Sequence, residues 1–277
     1  MSSIELAKMN DLSSALIVDP YLGFKTHKIY DSYPPSLSNA EVFKLQEIVL
    51  EYLQDQSLEE AYKKFRIFCT DYTDLNEQLL RKQMASHLQT LDEDVGAGIR
   101  PCKRYSKDEQ NGVQIIATRK WKKHEVIPSL FGHVAQITNE EENTLRVANK
   151  NFSVMESTRN NAKYLLLGSI SFVNSSCDAN CETDILNELI RQYTGASAEK
   201  TTVGIRTKRT LAKDEEITVF YGEDYFGDEN KECECPACER SLCELTRLAG
   251  ECPWTPVLRF ATNLRLAPRA ATAPHSF

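Results

Sequence analysis

The sequence predicts an α+β protein: an N-terminal helical bundle, then a strand-rich domain of small curved sheets, then a short cysteine-bearing segment. Three observations predict it. Apolar residues recur at three- and four-residue spacing through the first third; Gly96-Ala97-Gly98 breaks that pattern; and short β-rich segments divided by turn residues follow, ending at Cys233, Cys235 and Cys238. The boundaries read as 1–95 for the helical domain and 96–230 for the strand-rich domain, with an insertion near 184–201. Residues 231–243 form the cysteine segment and 244–277 a flexible C-terminal extension.

In the first third, Val42, Leu45, Ile48, Tyr52 and Leu53 mark one buried helix face. Ser57 and Glu60 have the spacing of a capping box, opening a helix that buries Leu58, Tyr62, Phe65 and Phe68. Asp74 with Glu77 opens a third helix carrying Leu75, Leu79, Leu88 and Leu91. Three amphipathic helices with short breaks suggest a bundle whose default role is scaffolding. Strands are expected at 113–118, 126–127, 152–155, 203–205 and 217–221. The stretch Ile185 to Tyr193 has helical spacing and reads as an inserted excursion. From Leu245 on, arginines outnumber acids and alanine and proline cluster near the end, the composition of a disordered terminus.

With 277 residues, 41% of them hydrophobic, the chain can bury at least one full core. A formal net charge of −7 argues against a generic nucleic-acid binder, since phosphate binding needs Lys and Arg to displace counterions. It suits a basic partner, although the same acidity equally serves solubility. No apolar h-region follows Met1 and no run approaches the length of a transmembrane helix. The expectation is a reducing compartment, cytosol or nucleus, with no membrane partner and no sequence-specific nucleic-acid binding.

Cys233-Glu234-Cys235-Pro236-Ala237-Cys238 is the strongest chemical signal. Thiolates this close in sequence converge naturally on one tetrahedral Zn²⁺ rather than on disulfides. The fourth ligand comes from Cys177, Cys181 or Cys243, and spacing alone favours Cys243. Four thiolates close the site, which makes it structural.

Several stretches together resemble the SET domain, and more narrowly its Suv4-20 type, the methyltransferases of lysine twenty on histone H4. They are 19–24 (DPYLGF), Arg104-Tyr105-Ser106 with 109–112, Phe152 to Met155 with Ser157-Thr158-Arg159, and 172–181 (FVNSSCDANC). Glu215-Glu216-Ile217 through Gly222, Phe226-Gly227, and the cysteine cluster running into Glu239-Arg240 complete the set in family order, spanning roughly 12–240. The resemblance implies small curved sheets with a threaded pseudoknot, and a post-SET zinc segment folding over the cofactor. It implies S-adenosylmethionine as methyl donor, one structural Zn²⁺ held by Cys177, Cys233, Cys235 and Cys238, and Cys181 as a buried thiol. It also implies a histone H4 tail in nucleosomes as substrate, mono- to dimethylated, and hence nuclear chromatin as the place of action.

The same resemblance assigns residues. Tyr221 matches the catalytic tyrosine. Tyr21, Tyr105, Gly112, Ser153, Asn174, Ser175 and Pro236 match the cofactor pocket, and Phe152, Ser153 and Leu166 the channel for the substrate lysine. The chemistry asks little covalent help of the protein: an unprotonated amine, alignment with the S–CH₃ bond and a dry channel. A free lysine titrates at about 10.4, and desolvation beside a sulfonium favours the neutral amine.

Two departures stand out against the family pattern. Asn174-Ser175 replaces an Asn-His pair, and Leu166 stands where a tryptophan lines the lysine site, removing a cation–π face worth about 0.5–2 kcal/mol. They leave a second reading, a catalytically weak SET module that binds chromatin, and a third, a zinc-binding interaction domain without cofactor. The sequence carries no clear nuclear-import cluster and no signal of oligomeric state.

Overall fold

The computed structural model describes residues 2–104, 112–157, 162–184, 202–223 and 225–248. Tyr105, the helical stretch expected in the insertion, and the extension beyond Leu248 lie outside the described residues. No helix among the described residues is long and apolar enough to cross a membrane.

Four helices, not three, build the N-terminal part. The additional one, α1 (Ser3–Leu22), starts at a capping box in which the Ser2 hydroxyl accepts the Glu5 amide and Glu5 reaches back. Leu6, Met9, Leu12, Leu16 and Ile17 are all fully buried, as are the polar Asp11 and Ser13 between them. A helix covered on all sides has no stripe for periodicity to reveal. α2 (Asn39–Asp55) buries Leu45, Ile48 and Tyr52 as its spacing predicts; Val49 is buried as well, while Val42 and Leu53 are only half-buried. α3 (Leu58–Arg66) is capped by Ser57, whose hydroxyl accepts the Glu60 amide. The Ser57 amide is taken by Asp55 at 2.9 Å, so the capping box is replaced by a simple cap. α4 (Glu77–Leu91) begins at Asn76 rather than Asp74; Asp74 instead pairs with Lys8 of α1 at 2.8 Å.

The strands follow. β1 (Ala97–Cys102) and β2 (Gly112–Ala117) form an antiparallel pair. A five-stranded sheet holds β3 (Val126–Ile137), β4 (Val154–Ser157), β5 (Ala162–Gly168), β7 (Cys181–Asp184) and β8 (Thr202–Thr207) in the order β4-β5-β3-β8-β7. Its register slips between Ile127 and Phe131, the kind of irregularity that bends a sheet. β6 (Asn174–Ser175) and β9 (Thr218–Val219) make a short parallel pair. α5 (Asn139–Val147) follows β3, and α6 (Pro236–Leu248) closes the described chain.

One apolar cluster runs from α1–α4 through the strands without interruption. Polar anchors fix its layers. Ser86 of α4 donates to the Phe131 carbonyl at 3.0 Å, and the Gly168 amide donates to Asn10 of α1 at 2.9 Å. Where β3 crosses the turn 169–172 that leads to β6, a Cβ on Gly132 would lie 2.3 Å from both Ile170 Cγ2 and the Leu167 carbonyl. Neither neighbour can yield cheaply, because one is backbone. Gly132→Ala is therefore expected to cost about 2 kcal/mol, the scale of core overpacking, and a urea midpoint indistinguishable from the parent protein's would contradict it.

Candidate active site

The β6–β9 pair brings together segments far apart in the chain. Asn174 lies opposite Thr218 and Ser175 opposite Val219, and Tyr221 follows just beyond the end of β9. Asn180 locks the crossing: its Nδ2 donates to the Glu216 carbonyl at 2.7 Å, and its Oδ1 accepts the Thr218 amide at 2.9 Å. The Ser176 amide donates to the Val219 carbonyl at 2.9 Å. Asn174 gives its Nδ2 to the Val113 carbonyl and to Glu216, each at 3.0 Å. Its amide NH₂ is therefore occupied in tying β6 to β2, which leaves Oδ1 as the group free to serve a ligand.

Tyr221 donates its phenol proton to the Val173 carbonyl at 2.5 Å. Burial, the neighbouring Tyr225 and Glu216 push its pKa well above that of a free tyrosine. The phenol thus stays protonated, with its donor role used and its lone pairs available as acceptors. Its ring packs edge-on against Tyr225 at 4.8 Å, and Tyr225 packs edge-on against Phe226 at 4.9 Å. The Tyr225 hydroxyl donates to the Phe152 carbonyl at 3.0 Å, and burial raises its pKa to about 12.

These groups surround a cavity of about 460 Å³. Of the residues predicted from sequence, Gly112, Phe152, Asn174, Ser175 and Tyr221 line it. Ser153, Tyr21, Leu166 and Pro236 do not. Ser153 is buried just behind Phe152, where its carbonyl accepts the Leu166 amide at 2.9 Å and its Oγ finds no partner among the described residues. Tyr21 lies half-buried at the end of α1, and Pro236 opens α6. A Cβ on Gly112 would press on the Cys102 carbonyl at 3.2 Å, so the glycine serves the β1–β2 pairing at this point. Among the lining residues that sequence reasoning did not assign to the site are Asn10 and Ser14 of α1, Thr26 and His27 in the turn after it, Ser171, Tyr225 beside the expected Phe226, and Glu232 with Glu234. Tyr225 stands in the gap between two stretches already singled out, 215–222 and Phe226-Gly227, whereas nothing in the spacing marks His27.

The cysteine cluster sits at the end of the same segment. The sulfurs of Cys177, Cys233, Cys235 and Cys238 all lie within 4.8 Å of one another. Cys177 is 3.8 Å from Cys233 and 3.4 Å from Cys238. Sulfurs about 2.3 Å from a tetrahedral ion stand about 3.8 Å apart, whereas a disulfide needs about 2.05 Å. The set therefore suits a metal ion and not cystines. Cys177 joins the cluster, although chain spacing alone favours Cys243, whose side chain lies outside the described residues. Cys181 sits in β7 with its thiol pushed up to about 12 by burial, the state of an inert structural thiol. Burial opposes ionisation of Cys235 too, but the amides of Cys177 and Cys238 point at its sulfur at 3.4 and 3.5 Å and bring its pKa down to about 6.

This fold and constellation define a SET-domain protein, and the SET domain family matches residues 112–222. The chain is 30% identical over 249 residues to the histone-lysine N-methyltransferase Suv4-20 of Caenorhabditis briggsae, covering 87% of this chain and 72% of that protein. It is 28% identical over 263 residues to the Caenorhabditis elegans Suv4-20, covering 87% and 82%. The histone-lysine N-methyltransferase set9 of Schizosaccharomyces pombe is 27% identical over 240 residues, covering 83% of this chain and 51% of that protein. The chain belongs to the Suv4-20 family of histone-lysine N-methyltransferases. SET methyltransferases use S-adenosylmethionine.

Proposed function

We propose that this chain transfers methyl groups from S-adenosylmethionine to lysine twenty of histone H4 in nucleosomes, adding one and then a second. The observation that carries the reading is Tyr221, held beside the β6–β9 crossing with its hydroxyl anchored at 2.5 Å on Val173 and its ring in the cavity wall. The lysine-twenty assignment is supported by the Suv4-20 relatives. It places the protein on nuclear chromatin, where that substrate is found.

The cavity fits the group the family uses. About 460 Å³ is within the range of small-molecule sites, and the lining combines aromatic rings with polar groups. Asn174 Oδ1, Ser175 and the backbone at Gly112 would hold the methyl donor, with Tyr21, Tyr105, Ser153 and Pro236 as supporting positions. When bound, S-adenosylmethionine supplies an electrophilic methyl group. The residues do the rest by placement. Because the Tyr221 hydroxyl donates its hydrogen bond to the Val173 carbonyl, its oxygen lone pairs accept an N–H of the incoming lysine and turn the nitrogen lone pair toward the donor. Phe152 and Tyr225 narrow the channel and keep water out, which favours the neutral amine. Ser153 and Leu166, hydrogen-bonded to each other outside the cavity lining, would bear on the room for a methylated amine only through Phe152.

Cys177, Cys233, Cys235 and Cys238 would hold one zinc ion. Four thiolates leave no position open, so its role is to order the chain around α6 and not to take part in transfer.

Mass spectrometry of nucleosomes after incubation with the protein and S-adenosylmethionine tests the reading. One and two methyl groups on lysine twenty of H4 are expected, and none with Tyr221→Phe over the same interval. Modification confined to another residue would refute the assignment of substrate, and a complete lack of transfer would refute the activity.

A further inference from the structure

The turn after α1 is held far more firmly than a surface turn requires. Lys28 is wholly buried. Its Nζ donates to Asp19 Oδ1 at 3.0 Å, to the Thr26 carbonyl at 3.2 Å and to Thr26 Oγ1 at 2.7 Å. The same Asp19 carboxylate accepts the Thr26 amide at 2.9 Å and the Thr26 hydroxyl at 2.7 Å. Further along, Asp11 of α1 accepts the Tyr30 amide at 2.7 Å. Burying an ion pair of this kind brings little net stability, because desolvation offsets the attraction. What it secures is geometry, and the residue whose geometry it secures is His27.

His27 stands between Thr26 and Lys28, the two residues that this network holds, and lines the cavity. Its ring centre is 5.4 Å from that of Phe152, tilted by 40°. On the other side, Tyr225 donates to the Phe152 carbonyl at 3.0 Å. Phe152 is thus set by two contacts, one from the loop that follows Tyr221 and one from the helical region at the far end of the sequence.

We propose that His27 is a substrate-positioning residue: its ring, fixed by the Lys28–Asp19–Thr26 network, sets the Phe152 wall along which the target lysine is aligned. The N-terminal helical region is then part of the reaction site and not only its scaffold. This inference rests on the methyltransferase reading above. A small misplacement of a substrate wall is enough to slow transfer strongly, since reactivity depends on near-attack geometry.

The test is steady-state kinetics of the full chain with an H4 tail peptide and S-adenosylmethionine, each varied in turn, for the parent protein, His27→Ala and His27→Phe. His27→Ala is expected to lower kcat/KM for the peptide by about tenfold, with the KM for the methyl donor within about twofold. His27→Phe, which keeps a ring against Phe152, should recover most of the loss. Thermal unfolding of each variant separates loss of fold from loss of alignment. An Ala variant that folds and keeps its peptide kcat/KM overturns the proposal, as does a folded Phe variant no better than Ala, or a parallel rise in donor KM. If the parent protein methylates another histone instead of H4, the assignment of lysine twenty fails and the same comparison on that histone still decides the role of His27. If it methylates none, the methyltransferase reading fails and the inference goes with it.

Discussion

Tyr221→Phe is expected to lower kcat for methyl transfer by about 10²–10³-fold, the loss typical of removing one preorganised polar contact at a reacting centre. The phenol oxygen is the atom at stake. It gives its hydrogen to Val173 at 2.5 Å and so presents only lone pairs to the cavity. Phenylalanine keeps the ring and its edge-on packing at 4.8 Å against Tyr225, but it cannot accept the lysine N–H. Donor affinity should stay within about twofold, because the groups assigned to the donor lie on Asn174, Ser175 and Gly112. Initial rates together with calorimetric titration of S-adenosylhomocysteine measure both quantities. Weakened cofactor binding with an unchanged rate at saturation would reverse the assignment and make Tyr221 a cofactor residue.

Cys235→Ser is expected to abolish zinc retention and most of the activity. Binding of structural zinc carries on the order of 10 kcal/mol in small four-ligand sites. Cys235 is the best-prepared ligand of the four: it is fully buried, and two backbone amides stabilise its thiolate. Metal content by atomic emission should fall from about one ion per chain to about a tenth of that. Limited proteolysis should then cut between Tyr225 and Leu248 while the helices α1–α4 stay protected, since their core does not depend on the cluster. Full zinc content in the serine variant would show that the four sulfurs are not the site.

Much of this was legible in the sequence where one residue reports on itself. The face of α2 announced itself because Leu45, Ile48 and Tyr52 are buried and their neighbours Phe43 and Leu50 are not. The cysteine triad announced itself because three ligands share six residues. What stayed hidden depends on company. α1 carries buried residues on every side, Asp11 and Ser13 included, so no period emerges from it. β5 runs through Tyr164, Leu165, Leu166 and Leu167 without alternation, a pattern that helix and buried strand share. Cys177 could be chosen over Cys243 only with knowledge of a fold that brings Asn174–Cys177 beside Cys233–Cys238. His27 gives no local signal at all; its place in the cavity follows from how Asp19 and Lys28 fold the turn beneath it.

The parallel pairing of Asn174–Ser175 with Thr218–Val219 has a consequence for how the protein is made. As the chain leaves the ribosome, the helices α1–α4 and the antiparallel β3–β5 pair can assemble from segments already present, but β6 must wait for a partner more than forty residues downstream. The thiol of Cys177 waits longer still, until Cys238 has emerged. The crossing beside the cavity is therefore completed only once Val219 has been made, later than the helices α1–α4 and the strands that precede it.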